Sequence, residues 1–238
     1  MELHGGQKLW PSEIRTFFTS LKEAFLAFYG RLVRIKIFGR EFWQGLNRNS
    51  IVVANHVTGV DSIILQIGLK RRLFMLAAKK WFEGRFIRFF MTFFCDMIPV
   101  AIKEGPCNVK GIKRALKLLE LKQSIGLYPA GRMTREDAVP EISNGAAYLA
   151  LKSGVPIVAV YVKNLAFGPE IGSSPRIDDA VEGLGSVVHN IFNRRIELYI
   201  APPVFPVTDA LDRKSEINRI NTEIHERFEE LIQQASLN

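Results

Sequence analysis

Cysteine is nearly absent: only Cys95 and Cys107 occur in 238 residues. Their spacing fits no metal-site pattern, and two cysteines do not make a disulfide framework, so free thiols in a reducing compartment are expected. No run reaches the ~18 uninterrupted apolar residues of a membrane span. The sequence therefore predicts no spanning helix, and any membrane role would be peripheral, at a cytoplasmic face. Residues 1–11 are polar and lack an apolar core ending in small residues, so no secretory leader is expected. Internal repeats and low-complexity linkers are missing too; the most loop-like stretch is 168–179. Despite a net charge of +8, no recognisable nucleic-acid-binding motif is present, which argues against a nucleic-acid partner.

What is present is an apolar chain with lopsided charge. Hydrophobic residues make up 47 %, enough for a sizeable core. Residues 1–122 carry 21 Lys/Arg against 9 Asp/Glu, whereas 123–238 carry 11 against 15. The N-terminal half thus suits an anionic partner. Of 17 phenylalanines, 13 lie between Phe17 and Phe94, in that same basic half. Rings that enter an acyl boundary beside cations that meet phosphates are what an interfacial lipid site requires, although any single ring is better explained as core.

Residues 12–38 read as an amphipathic helix, or two joined at Gly30. Phe17, Phe18, Leu21, Phe25, Phe28, Tyr29 and Leu32 recur at helical spacing, with Arg15, Lys22, Arg31, Arg34 and Lys36 among them. A helix packed on the core and a helix lying in a bilayer interface both fit, and different faces can serve both. Residues 1–44 are accordingly expected to form amphipathic, membrane-associating helices, and 45–238 a separate α/β domain.

Short apolar runs at 51–55, 73–77, 97–101, 124–128, 156–162 and 195–200 predict strands. Helices are expected at 61–69, 82–94, 108–121, 142–153 and 209–235. In the last of these, Ile217, Ile220, Ile224, Phe228 and Leu231 mark a packing face. Lys110, Lys113, Arg114 and Lys117 mark a solvated one. Strands alternating with helices predict an α/β fold with a mixed, largely parallel sheet flanked by helices.

The segment with chemistry in it is Asn55-His56-Val57-Thr58-Gly59-Val60-Asp61. On one continuous helix residues five apart are ~140° out of phase and cannot meet. A strand–turn–helix path, however, can fold Asp61 back onto His56. A carboxylate accepting from one imidazole nitrogen fixes the tautomer and supports the cation, leaving the other nitrogen to take a proton from a hydroxyl. The plain alternative for Gly59 is an ordinary turn glycine.

His56 and Asp61 after an apolar strand resemble the His-x4-Asp motif of the glycerolipid acyltransferases, the family that contains 1-acylglycerol-3-phosphate acyltransferase. Further blocks agree in order. Ala78-Lys79-Lys80-Trp81 ahead of aromatic residues resembles the second block, and Met97-Ile98-Pro99-Val100 the strand before a phosphate-binding arginine. Leu127-Tyr128-Pro129-Ala130-Gly131-Arg132 resembles the Phe-Pro-Glu-Gly-Thr-Arg block. Pro129 to Thr134 is closer still to the Pro-Glu-Gly-Arg-Ile-Thr variant of acyltransferase domains fused to acyl-carrier-protein synthetases. Residues 145–160 resemble the last block. The likeness covers about residues 45–205.

This resemblance implies a membrane-surface enzyme that moves a fatty acyl group from acyl-carrier protein or acyl-CoA to a lysophospholipid hydroxyl. It implies His56 as base, Asp61 as its partner, and no metal or bound cofactor. For the acceptor it implies Arg132, near Gly131 where the backbone can approach a ligand, with Lys103 as a second cation, Arg135 as a weaker one and Thr58 as a donor. Two departures stand out. Ala130 replaces the family's glutamate, which leaves open a catalytically impaired member that binds a membrane or partner. The arginine after the Ile-Pro-Val strand is missing, and Lys103 is the nearest cation there; lysine lacks the bidentate fork.

Overall fold

Strand 51–54 shows how the layers are built. Ile51, Val52, Val53 and Ala54 are all inaccessible to solvent, as expected of an apolar run covered on both faces. In the computed structural model the described residues are 12–46, 48–82, 88–89, 91–92, 95–100, 109–132, 138–164, 185–192 and 196–238. In chain order the elements are α1 (Ser12–Leu32), β1 (Ile35–Phe38), α2 (Arg40–Gln44), β2 (Ile51–Ala54), α3 (Asp61–Leu69), β3 (Leu73–Ala78) and β4 (Met97–Val100). There follow α4 (Val109–Glu120), β5 (Ser124–Leu127), α5 (Asn144–Ser153), β6 (Ile157–Lys163), α6 (185–192), β7 (Ile196–Ile200) and α7 (Arg213–Leu237).

The sheet has seven strands in the order β1-β7-β6-β2-β5-β3-β4. From β6 to β4 every pairing is parallel, while β7 runs antiparallel to β6 and carries β1 parallel to itself. The expected α/β class with a mixed, largely parallel sheet is thus the observed one. Alternate residues feed two cores. Ile51, Val53, Ile125, Ile157 and Ala159 pack with α4, α5 and α7; Val52, Ala54, Val158 and Val160 pack with α1 and α3. On α7 the buried residues Ile220, Ile224, Phe228, Leu231 and Ala235 follow helical spacing. Because β2, β3, β4, β5 and β6 point the same way, their C-terminal ends open on one edge of the sheet, the usual place for a site in such folds.

Residues 12–38 depart from expectation at their C-terminal end. The helix stops at Leu32, and 35–38 forms an edge strand whose register Ile35↔Ile196 through Phe38↔Tyr199 joins it to β7. A four-residue run offers too little periodicity to separate strand from helix, and the pairing partner decides. Gly30 is not a joint. The helix continues through it, and a side-chain carbon there would sit 2.9 Å from Ile67 Cγ2, so glycine lets α1 lie close on α3. The helix expected at 82–94 lies largely outside the described residues; Lys79–Phe82 is a 3-10 turn. No helix of the described residues is long and apolar enough to cross a membrane.

Two apolar faces divide α1. Tyr29 and Val33 are buried and Phe25 stacks on Tyr29 with ring centroids 5.7 Å apart. Phe17, Leu21 and Phe28 form an outward stripe, with Phe17 63 % and Phe28 62 % exposed. The helix is held by an ion cluster. Lys22 is buried and pairs with the buried Asp96, with a further hydrogen bond to Gln66 Oε1 at 3.0 Å. Arg72 closes on the same carboxylate through Nε at 2.8 Å and Nη2 at 2.5 Å. These bonds to Asp96 raise the Arg72 pKa. Asp96 itself has φ of 53°, the left-handed region that Asn and Asp tolerate best among side-chain-bearing residues. Next to it, burial pushes the Cys95 thiol up to about 12, so it stays protonated.

Removing one member of a buried ion cluster strands the others, a loss of about 3–5 kcal/mol. Asp96→Asn keeps the backbone conformation and removes the charge that Lys22 and Arg72 face. Its urea unfolding free energy is expected to fall by about that amount, and by distinctly less in Lys22→Met, where Arg72 still neutralises Asp96.

Candidate active site

The site begins where β2 ends. Its last ladder partner on β6 is Val160, opposite Ala54. Beyond that pair the Asn55 side chain takes over from the backbone: its amide donates to the Val162 carbonyl at 2.9 Å and its oxygen accepts from Val162 N–H at 2.7 Å. The buried amide therefore ends the strand without leaving β6 unpaired, and His56 is turned out at the sheet's C-terminal edge.

The chain then makes a tight turn into α3. Asp61, the first residue of that helix, is fully buried. Its Oδ2 accepts from Val57 N–H at 2.7 Å and Thr58 N–H at 2.9 Å, and lies 3.0 Å from His56 Nδ1. Its Oδ1 accepts from the Thr58 hydroxyl at 2.6 Å. The helix N-terminus adds favourable field for the carboxylate. Two amide donors already occupy Oδ2, so the imidazole contact is satisfied by an Nδ1–H donating to it. The neutral ring then carries its lone pair on Nε2. The His56 side chain keeps 21 % of its surface exposed while Asp61 has none. That is the arrangement of a base reachable from solvent and oriented from behind.

A second ring touches the imidazole. Tyr128, just after β5, stacks on His56 with centroids 4.0 Å apart and planes 8° apart. Burial, reinforced by the Asp61 charge, pushes its phenol well above the ordinary range, so the hydroxyl keeps its proton. The turn from Tyr128 closes with Gly131 N–H donating to the Tyr128 carbonyl at 3.0 Å, and Gly131 has φ of 63°, a conformation suited to glycine.

The remaining expected residues fall out as follows. Arg132 follows that turn on the same edge of the sheet. Its guanidinium is mainly solvent-exposed and lies 3.8 Å from Glu141. Lys103 and Arg135 lie outside the described residues. The Thr58 hydroxyl, expected to meet a ligand, is instead committed to Asp61 within a fully buried residue. The sequence motifs give Asn55 and Tyr128 no role, because neither the bond to β6 nor the stack is visible before the strands are brought together.

Fold and pair together define an α/β protein with a partly exposed histidine backed by a buried carboxylate, an arrangement suited to activating a hydroxyl. The chain belongs to the acyltransferase family, whose model matches residues 34–163, the span from β1 through β6 that holds both His56 and Asp61. It is similar to the 1-acyl-sn-glycerol-3-phosphate acyltransferase of Bacillus subtilis, 28 % identical over 138 residues. That match covers 58 % of this chain and 66 % of the relative, just under two thirds of its length. The fold is similar to the crystal structure of the 1-acyl-sn-glycerophosphate acyltransferase PlsC of Thermotoga maritima. The TM-score is 0.55 at 16 % identity, over 92 % of this chain and 83 % of the other.

Asp61→Asn swaps an acceptor-only group for an amide that cannot serve all these donors, and it removes the preference for the Nδ1–H tautomer. Acyl transfer is expected to fall about 10³–10⁴-fold, with kcat carrying most of the loss in steady-state assays. The thermal midpoint is expected to drop because two buried amide groups lose an ionic acceptor.

Proposed function

We propose that this chain transfers a fatty acyl group from a thioester donor, acyl-carrier protein or acyl-CoA, to the free hydroxyl of a lysophospholipid such as 1-acylglycerol-3-phosphate. The observation that carries the reading is the 3.0 Å contact between His56 Nδ1 and Asp61 Oδ2, which leaves Nε2 as the free base. The names of the relatives support the acceptor class.

In this reading the acceptor hydroxyl gives its proton to His56 Nε2 as its oxygen attacks the thioester carbonyl. Asp61 stabilises the imidazolium that forms. The tetrahedral intermediate collapses, the C–S bond breaks, and the imidazolium returns a proton to the leaving thiolate. No covalent acyl-protein intermediate is needed. Arg132 and Lys103 would meet the acceptor phosphate, Arg132 through its bidentate fork.

The reaction would take place at a bilayer surface, on its cytoplasmic face. Supporting this, the outward stripe Phe17, Leu21, Phe28 on α1 is accompanied by exposed Arg31, Arg34, Lys36 and Arg40, the pairing of apolar rings and cations that anionic lipid favours.

Ala130, in the turn after β5, supports a second reading in which a missing carboxylate leaves the chain impaired and its role is binding. Labelled acyl thioesters and a panel of lysolipids on vesicles, with products identified by mass spectrometry, separate the two. His56→Ala is expected to abolish transfer while vesicle binding stays unchanged; wild-type turnover in that variant overturns the mechanism. Ala130→Glu is expected to alter turnover by only a few fold. A rise of about a hundredfold, ~2.7 kcal/mol in the barrier, would favour the impaired reading.

A further inference from the structure

Asp61 holds the imidazole through a single hydrogen bond, Nδ1–H···Oδ2, and rotation about the Cα–Cβ and Cβ–Cγ bonds still lets the ring tilt around that contact. The direction of Nε2 is set only when the ring plane is fixed as well. Tyr128 supplies the missing contact. β2 and β5 are parallel neighbours with Val53 opposite Leu127, so the residues just past their ends emerge side by side. There the phenol ring lies on the imidazole face, 4.0 Å centroid to centroid and 8° from parallel. Among the described residues the Tyr128 hydroxyl is buried and has no hydrogen-bond partner. A buried, unsatisfied hydroxyl is a cost to the fold, so it is the ring, packed against the α1–α3 core on one side and stacked on the imidazole, and not the hydroxyl, that makes the contacts here.

We propose that Tyr128 is a positioning residue for proton transfer, acting through the face of its ring and not through its hydroxyl. The face fixes the imidazole plane so that Nε2 points at the acceptor oxygen. When Nε2 has taken the proton, the ring becomes a cation lying against a π-face, an attraction absent before transfer. Both effects favour the transition state over the ground state, so they belong in kcat and not in KM. The chemistry is the same as already described: the hydroxyl proton moves to Nε2 and on to the leaving thiolate.

The proposal rests on the acyl-transfer reading, so one readout must be independent of turnover. Tyr128→Phe keeps the face and removes the orphan hydroxyl. Its kcat and KM are expected within about twofold of wild type, and its thermal midpoint equal or higher. Tyr128→Leu, with Tyr128→Met as a longer alternative if leucine leaves a cavity, removes the face. There kcat is expected to fall ~10–100-fold, the scale of a slightly misplaced reactive group, with both KM values nearly unchanged. The independent readout is the His56 Nδ1–H proton resonance in ¹⁵N-histidine-labelled protein. It should persist in the phenylalanine variant and broaden into exchange in the leucine or methionine variant.

A leucine or methionine variant with wild-type kcat and a sharp resonance overturns the proposal. So does a phenylalanine variant as slow as leucine, because that would assign the role to the hydroxyl. If wild-type protein transfers no acyl group with any donor and acceptor, the proposed activity fails, and the resonance alone decides whether Tyr128 holds the imidazole.

Discussion

The Asp61 carboxylate is the knot that ties the site together. Val57 N–H, Thr58 N–H, the Thr58 hydroxyl and the His56 ring all converge on its two oxygens. Without it the turn between β2 and α3 would have two buried amides and a hydroxyl to satisfy elsewhere, and the imidazole would have no fixed tautomer. One buried group thus shapes the loop, starts the helix and orients the imidazole. This is economical because a short turn has few other acceptors to offer.

The sheet provides the frame. Asn55 ends β2 by binding the β6 backbone with its side chain, and five parallel strands bring their C-terminal ends to one edge. Groups far apart in sequence, His56 on the β2 exit and the Tyr128-to-Arg132 turn on the β5 exit, become neighbours because their strands pair directly. The buried strands behind them set the imidazole and phenol rings face to face, with centroids 4.0 Å apart.

On the α1 side a different logic applies. The helix has one face against the core and one facing out, and it is fastened by Lys22 reaching to Asp96, which Arg72 also grips. Ion clusters of this kind are weak sources of net stability but strict about geometry. Here the cluster ties α1, and with it the outward stripe of Phe17, Leu21 and Phe28, to the residues just ahead of β3 and β4.

The local sequence pattern determined which segments become buried strands and which become amphipathic helices, because an apolar run or a 3.6-residue period is a property of neighbours along the chain. It also determined that a histidine and a carboxylate flank a strand–turn–helix bend. What it left undecided involves partners far away. The 35–38 segment is a strand because β7 lies beside it. Lys22 turns inward because Asp96, 74 residues on, waits there. Asn55 is an ornament in a motif until Val162, 107 residues on, is brought against it. Tyr128 is one more aromatic residue until β5 is laid beside β2. Those choices belong to the tertiary structure alone, because a side chain's role is set by which groups face it, and strand order, not spacing in sequence, decides that.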